Sequence, residues 1–231
     1  MAFKFNTIQQ GDGLELLSQL TSNSTDLIFF DPQYEKTEKV SRIKDYPLHF
    51  QSDGEIRQIL KEISRVLEPG GFCLLWVSKN LLGTDRVLAW LLKIPWLKIV
   101  DLLVWDKVNF GFGSYFRNQA EFAFLLQKLP LNSKLFKNRG LGNVWSENAL
   151  PVNQRNHPHQ KPRGLIKALI EATTNKGDLI VDPCAGGFGV LEACQEIGRK
   201  FLGCDLTYKA MERFKSNKDK VCLKCFGFIN Y

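Results

Sequence analysis

Short, nearly unbroken apolar runs recur along the chain: DLIFF at 26–30, FCLLWV at 72–77, IVDLLVW at 99–105, EFAFLL at 121–126, LIVD at 179–182 and FLGC at 201–204. Runs this short, with little polar alternation, predict strands covered on both faces. Between several of them the apolar spacing changes to three and four. Ile56, Ile59, Leu60, Ile63 and Leu67 share one helical face that stops at the turn-rich EPGG. Leu165, Ile166, Leu169 and Ile170 share another, between Pro162 and NKGD. Strands alternating with helices predict an α/β fold built on a Rossmann-like, doubly wound, mostly parallel sheet.

From 127 to 160 the alternation stops. This stretch is polar, basic and turn-rich, with isolated aromatics and no period. Long ordered excursions tend to carry function. The alternation then resumes, so 1–231 reads as a single domain with an insert at 127–160. The apolar face of 54–67 reads as core rather than as an interface, and the pattern fits a monomer or a homodimer.

Composition narrows the partners. Lys and Arg number 31 against 24 Asp and Glu, a net charge of +7, which favours an anionic partner, nucleic acid ahead of acidic lipid. No run approaches the ~18 apolar residues of a membrane span, and MAFKFNTIQQ lacks the features of a signal peptide. A cytoplasmic location away from membranes is expected. Cys73, Cys184, Cys194 and Cys204 sit in apolar or tight-turn contexts and read as small core residues. Cys222 and Cys225 form a single C-x-x-C, weak support for a metal or redox site; no metal is expected.

In doubly wound sheets, ligands bind beyond the carboxyl ends of the strands. LIVDPCAGGFGV places Asp182 at a strand end, followed by Gly186, Gly187 and Gly189 and a helical pattern. Glycines let a backbone approach a ligand closely. The loop matches neither G-x-G-x-x-G nor a phosphate loop. About twenty residues on, GRKFLGCDL places Asp205 at the next strand end, where a carboxylate can accept both hydroxyls of a ribose. Loop and acid together predict a nucleoside-bearing cofactor. The third candidate is FFDPQY at 29–34. Either it is an exposed β-turn, or Asp31 is an acid set at the mouth of a buried strand, where it needs a partner.

Taken together, these segments resemble the amino-group DNA methyltransferases that use S-adenosyl-L-methionine. DPQY is similar to that family's catalytic D-P-P-Y, LEPGGFCLLW to its L-K-P-G-G segment, and WDKVNFGFGSYFRNQAEFAFLL to its W-x-K … R-x-x-x-E segment. HPHQKPRGLIKALI resembles its H-P-x-x-K-P helix, and DPCAGGFGV its D-P-F-x-G-S-G-T cofactor loop. The catalytic motif precedes the cofactor loop, which is the order of the family's β group. The resemblance implies that Asp31 and the carbonyl of Pro32 accept the two hydrogens of an exocyclic amine while Tyr34 stacks on a flipped base. It implies cofactor contacts from Asp12, Phe30, Asp31, Lys161, Pro162, Asp182, Cys184, Ala185, Gly186, Gly187, Gly189, Asp205 and Leu206. Asp12 would take the adenine amine and Asp205 the ribose, while Lys161 and Pro162 would close the pocket from the other side.

Double-stranded DNA is the implied partner. Lys107, Arg117 and Asn118 flank the glycine- and aromatic-rich NFGFGSY, and the insert adds Lys134, Lys137, Arg139 and Arg155; cations among aromatics suit phosphate and base contacts. The implied reaction is methylation of adenine N6 in a short duplex sequence, in a bacterial restriction–modification pair with a cognate endonuclease. Cytosine N4 is the alternative base, and a catalytically impaired DNA-binding relative the alternative class. Three departures from the family pattern bear on this choice. Gln33 replaces the second proline, which restores an N–H and predicts a less rigid catalytic loop. Phe188 stands where glycine is usual, placing a bulky ring in the cofactor loop and putting cofactor affinity in question. Val190 stands where threonine is usual.

Overall fold

The computed structural model describes residues 3–34, 49–207, 209 and 211–216; the Cys222 and Cys225 pair lies outside the described residues. Every predicted strand is present. The elements run α1 (Gly13–Ser18), β1 (Thr25–Phe30), α2 (Asp53–Val66), β2 (Leu67–Val77), α3 (Lys79–Leu82), α4 (Arg86–Leu91), β3 (Leu97–Asp106), β4 (Ala120–Lys128), β5 (Val144–Ser146), α5 (Arg163–Thr173), β6 (Leu179–Asp182), α6 (Gly189–Ile197) and β7 (Lys200–Gly203). The sheet order is β5-β3-β4-β2-β1-β6-β7. β4 pairs antiparallel with both neighbours, and the other pairings are parallel.

β1 shows why its run lacks polar alternation. Leu27 and Phe29 point into one buried cluster with Leu165, Ile166 and Leu191 of α5 and α6; Ile28 and Phe30 point into another with Leu17, Ile56 and Leu60 of α1 and α2. Helices cover both faces, so every position along the strand is interior. On α2, Ser52 Oγ accepts from Glu55 N, and the Glu55 carboxylate accepts from Ser52 N at 2.7 Å; this capping box fixes the helix start. Ile56, Ile59, Leu60 and Ile63 are buried, as expected of a core face.

At the far end of α2 the structure corrects a boundary. Leu67 belongs to β2, and EPGG is a bulge inside that strand rather than a plain turn: the pairing with β1 jumps from Thr25↔Leu67 to Leu27↔Phe72. Pro69 has no N–H to donate, and Gly70 takes φ +83°, a value that side chains resist.

The insert is not one unit. Its first half lies under the amino ends of the parallel strands. Leu129 N donates to Trp96 O, the Phe136 ring meets that of Phe72 at 6.2 Å, and Lys137 N donates to Ala172 O near the end of α5. The short strand β5, absent from the sequence reading, then carries the chain back alongside β3. Only residues after it reach the carboxyl end. There Glu147 accepts from Gly164 N, from Leu165 N and from Trp145 Nε1, so a residue of the insert caps α5.

Chain direction makes the site. From β1 the chain passes through α2 to β2 on one side, and from β6 through α6 to β7 on the other. The crossovers diverge between β1 and β6, so a crevice opens beyond their carboxyl ends. Asp31 directly follows β1, and Asp182 ends β6. The described cysteines Cys73, Cys184, Cys194 and Cys204 are free thiols. Burial pushes those of Cys194 and Cys204 up to about 12, the range of an inert core residue. Among the described residues no helix is long and apolar enough to cross a membrane.

Candidate active site

The crevice is a cavity of about 980 Å³ whose wall includes Asp12, Asp31, Pro32, Tyr34, Lys161, Asp182 and Asp205. Segments more than a hundred residues apart in sequence therefore meet at one place.

Asp31 is held by Lys161. The ammonium lies 2.6 Å from Asp31 Oδ2 and 3.1 Å from Glu121 Oε2, and it rests 4.5 Å above the Trp76 ring. Burial alone would lower this amine's pKa, but the two carboxylates raise it above the ordinary lysine value. Burial alone would raise that of Glu121, yet Lys161 and Lys107 hold it below the usual range. Both partners stay ionised at neutral pH, and Asp31 is oriented through one oxygen, while Oδ1 accepts nothing among the described residues.

A chain of hydrogen bonds braces the catalytic-loop candidate. Gln33 N donates to Gln51 Oε1 at 3.2 Å, Gln51 N donates to Gln33 O at 2.8 Å, and Gln51 Nε2 reaches Cys184 Sγ at 3.7 Å. The N–H that proline would have removed is thus in use, and the looser loop expected from Gln33 is not what the geometry shows. Tyr34 packs 6.2 Å from Trp90, and its N donates to Pro32 O, whose second lone pair stays available.

The glycine loop is clamped from above. Asn156 Nδ2 donates to Gly187 O, and Gln160 Oε1 accepts from Asn156 N. A Cβ on Gly187 would lie 2.7 Å from Gln160 Oε1, and one on Gly186 (φ +49°) would lie 3.2 Å from the His157 ring. Asp205 closes the loop: Gly186 N donates to Oδ2 at 2.9 Å and Thr207 N to Oδ1 at 2.7 Å. The Thr207 hydroxyl bonds the same carboxylate; a carboxylate accepts about four hydrogen bonds, so one position remains for a ligand hydroxyl. Asp12 caps α1 through Oδ1, and Oδ2 accepts nothing among the described residues. Gly13 lets α1 start against the loop, where a Cβ would sit 2.2 Å from Pro183 O. Burial, with Asp31 and Asp205 adding repulsion, pushes the Asp182 carboxyl well above its usual range. Three acids and a glycine cradle fit a ligand that carries a ribose and positive charge.

Several expectations change. Phe30 is wholly buried and Pro162 is the cap residue of α5; neither lines the cavity. Lys161, expected to close the cofactor pocket, lines the cavity and also bonds the Asp31 carboxylate. Phe188 does adopt the left-handed conformation that explains the usual glycine (φ 57°), but its ring is buried against Phe214 in the core, away from the cavity. Val190 lines the cavity.

Of the expected DNA contacts, Lys107 and Asn118 lie on the cavity wall. Lys107 pairs with Glu121 at 3.3 Å, and Asn118 Oδ1 is buried without a hydrogen-bond partner among the described residues. Arg117 donates to Gly111 O and covers the Phe112 ring. Arg155 is buried with its guanidinium donating to Leu150 O and Pro158 O, which makes it a loop brace rather than a phosphate contact. Lys134 and Lys137 are exposed beneath the amino ends of the strands, and Arg139 follows in the same connection, so none of the three flanks the crevice. His157 packs on Gly186, as a structural role predicts.

Sequence reasoning missed Trp76, Gln51, Asn156 and Gln160. Trp76 reads as plain strand core, Gln51 and Asn156 are single amides in unpatterned loops, and Gln160 fills an unspecified position of H-P-x-x-K-P. Glu121 carried a signal, the acid of R-x-x-x-E, but was not singled out.

The fold and crevice define the class: a doubly wound α/β protein with a ligand site at the switch point between β1 and β6. Residues 25–216 match the family described as DNA methylase, and the chain belongs to that family. It is 37% identical over 207 residues to the type II methyltransferase M.HhaII of Haemophilus parahaemolyticus, a match that spans 85% of this chain and 89% of that protein. It is 26% identical to the DNA adenine methyltransferase YhdJ of Escherichia coli K12, over 87% and 78% of the two chains. Two solved structures share the fold, each with a TM-score of 0.68. The M1.HpyAVI–SAM complex is 18% identical, covering 91% of this chain and 98% of that one. The PvuII DNA methyltransferase, described as cytosine-N4-specific, is 15% identical, covering 92% and 90%.

Proposed function

We propose that this DNA methylase transfers a methyl group from S-adenosyl-L-methionine to the N6 amine of an adenine extruded from duplex DNA. The observation that carries the reading is the Asp31–Lys161–Glu121 arrangement at the end of β1, beside the Asp182–Asp205 cradle at the switch point. The likeness to M.HhaII and to the adenine methyltransferase YhdJ supports both the cofactor and the base.

The cofactor, when bound, supplies a sulfonium methyl as the electrophile. Asp205 has acceptor capacity left for one of its ribose hydroxyls, and takes the second in exchange for the Thr207 hydroxyl; Asp12 Oδ2 has it for its adenine amine. The acid cluster suits its positive charge. An exocyclic amine is a poor nucleophile because its lone pair is delocalised into the ring. Asp31 Oδ1 and Pro32 O are the two acceptors that hold its hydrogens and leave the lone pair aimed away from them. Lys161 fixes the carboxylate, so the rate arises chiefly from positioning. Tyr34 forms the aromatic wall for the base, and the Asn118 amide, short of a partner, is a further contact to it. The same reading makes the protein the modification half of a bacterial restriction–modification pair.

The test is methyl transfer from labelled S-adenosyl-L-methionine to unmethylated genomic DNA, with product nucleosides resolved and Asp31→Ala as control. N6-methyladenine from the wild type alone is expected. N4-methylcytosine would overturn the choice of base. Absence of both transfer and cofactor binding would mark an impaired relative.

A further inference from the structure

The hairpin between β3 and β4 carries the most exposed rings of the described molecule. Phe110, Phe112, Tyr115 and Phe116 show 71, 70, 97 and 88% of their surface to solvent. Single exposed apolar residues are ordinary, but four rings within seven positions form a patch that calls for a partner.

The backbone beneath them is tightly built. Lys107 N donates to Gln119 O, Gly111 N donates to Asn118 O at 2.8 Å, and Arg117 Nε donates to Gly111 O. A Cβ on Gly111 would lie 2.8 Å from Asn118 O, and one on Gly113 would lie 2.1 Å from Phe116 O, so the tight fold of this hairpin requires both glycines. The rings are held outward by a braced support.

Position selects the partner. β3 ends and β4 begins at the carboxyl end of the sheet, and Phe110 and Phe112 line the same cavity as Asp31, whereas Tyr115 and Phe116 reach past its rim. A membrane or protein covering this tip would seal the mouth through which a base must enter. Duplex DNA is the partner whose binding keeps that mouth in use. The first half of the insert, the other candidate for this role, lies at the opposite end of the strands. Apolar side chains that enter a base stack partly unstack it, and rings replace the lost contacts.

We propose that the Tyr115–Phe116 tip is a wedge: it enters the duplex beside the target and fills the place that the extruded base vacates. The proposal rests on the methyltransferase reading above and adds the residues that stabilise the open duplex.

The test uses two duplexes carrying the sequence mapped by methylation of genomic DNA: one fully paired, the other with the target adenine facing an abasic site. The double variant Tyr115→Ala/Phe116→Ala is expected to lose at least about tenfold in kcat/KM on the paired duplex. It should recover most of that loss on the abasic duplex, where unpairing is already done, with cofactor binding unchanged. With 2-aminopurine at the target position, the fluorescence rise on binding should shrink in the variant. No loss on the paired duplex overturns the wedge. Equal loss on both duplexes also overturns it, since the tip is then an ordinary docking contact. A wild type that binds cofactor but leaves unmethylated genomic DNA unmodified, so that no sequence can be mapped, overturns the methyltransferase reading on which the wedge rests.

Discussion

The two walls of the crevice follow opposite plans. On the cofactor-side wall each loop is braced by another: Asn156 and Gln160 hold the glycine turn, Asp205 anchors it from below, and Gly13 brings α1 against it. On the hairpin wall the support is equally tight, but four rings stand in solvent and Asn118 Oδ1 has no partner among the described residues. One wall is finished before its ligand arrives; the other is completed by the ligand. A small cofactor gains affinity from a preformed cradle, whereas a duplex that must be opened needs surface that becomes buried only in the complex.

Lys161 joins the two walls, so its removal should have the largest effect. In Lys161→Met, Asp31 and Glu121 lose their shared counter-charge, although both carboxylates are partly exposed and Glu121 keeps Lys107. Urea unfolding should show a loss of about 2 kcal/mol, the buried-pair cost discounted for that exposure, and methyl transfer should fall by at least about a hundredfold, since Asp31 is no longer oriented. Adding Glu121→Gln should restore part of the stability and none of the activity. A single variant that kept wild-type turnover would show that Asp31 is positioned by other groups. The hairpin variants should leave unfolding unchanged, which is the contrast between the walls in one measurement.

Phe188 sharpens the comparison from within the cofactor wall. Phe188→Gly relieves a left-handed conformation worth about 1 kcal/mol but empties a core site whose loss typically costs about 3 kcal/mol or more. A net destabilisation of about 2 kcal/mol is expected, with cofactor affinity within about twofold of wild type because the ring faces Phe214. Calorimetric titration of the cofactor checks this; a large change in affinity would mean that the ring shapes the cradle after all.

Legibility in the sequence followed how local each signal was. The runs 26–30 and 179–182 were readable because burial on both faces erases polarity, and Asp31, Asp182 and Asp205 stood out as acids ending such runs. What lay hidden depends on long-range contacts. Lys161 meets Asp31 across 130 positions, and nothing local to HQKP marks it as a partner of that carboxylate. The path of the insert turns on whether Phe136 packs under Phe72 or lies beside the crevice, and no periodicity records that. Glycine's usual place at 188 signalled a backbone angle, but the direction of the ring is decided by Phe214 and the core.

Gln33 gives a smaller and more pointed test. Gln33→Pro removes the N–H that Gln51 accepts, a hydrogen bond worth about 1 kcal/mol, so kcat should fall about fivefold with cofactor affinity little changed. Gln51→Ala should produce a similar drop in the wild-type background and no further drop when combined with Gln33→Pro. A Gln33→Pro enzyme as fast as the wild type would show that the brace is dispensable.

The smallest effect concerns the clamp over the glycine loop. Burial, with the charges of His159 and Lys161 adding to it, pushes His157 down from 6.5 to about 3. The unfolded chain therefore takes a proton near pH 6.5 that the folded protein refuses until about pH 3. Stability from this group is complete above 6.5 and declines as pH falls through that window. Asp182 and Asp205 act with the opposite sign: their raised folded values cost stability at neutral pH, and that cost eases on acidification. The net pH profile mixes the two, so a difference isolates the histidine. Between pH 7.5 and 5.0 the stability advantage of wild type over His157→Gln should shrink by on the order of 1 kcal/mol, allowing for the partial exposure of the ring. Urea unfolding at the two pH values measures it. A constant difference would mean that His157 accepts its proton in the folded state at an ordinary pH. The imidazole would then be less enclosed against Gly186 than the clamp requires, and the cofactor wall less finished than its hydrogen bonds imply.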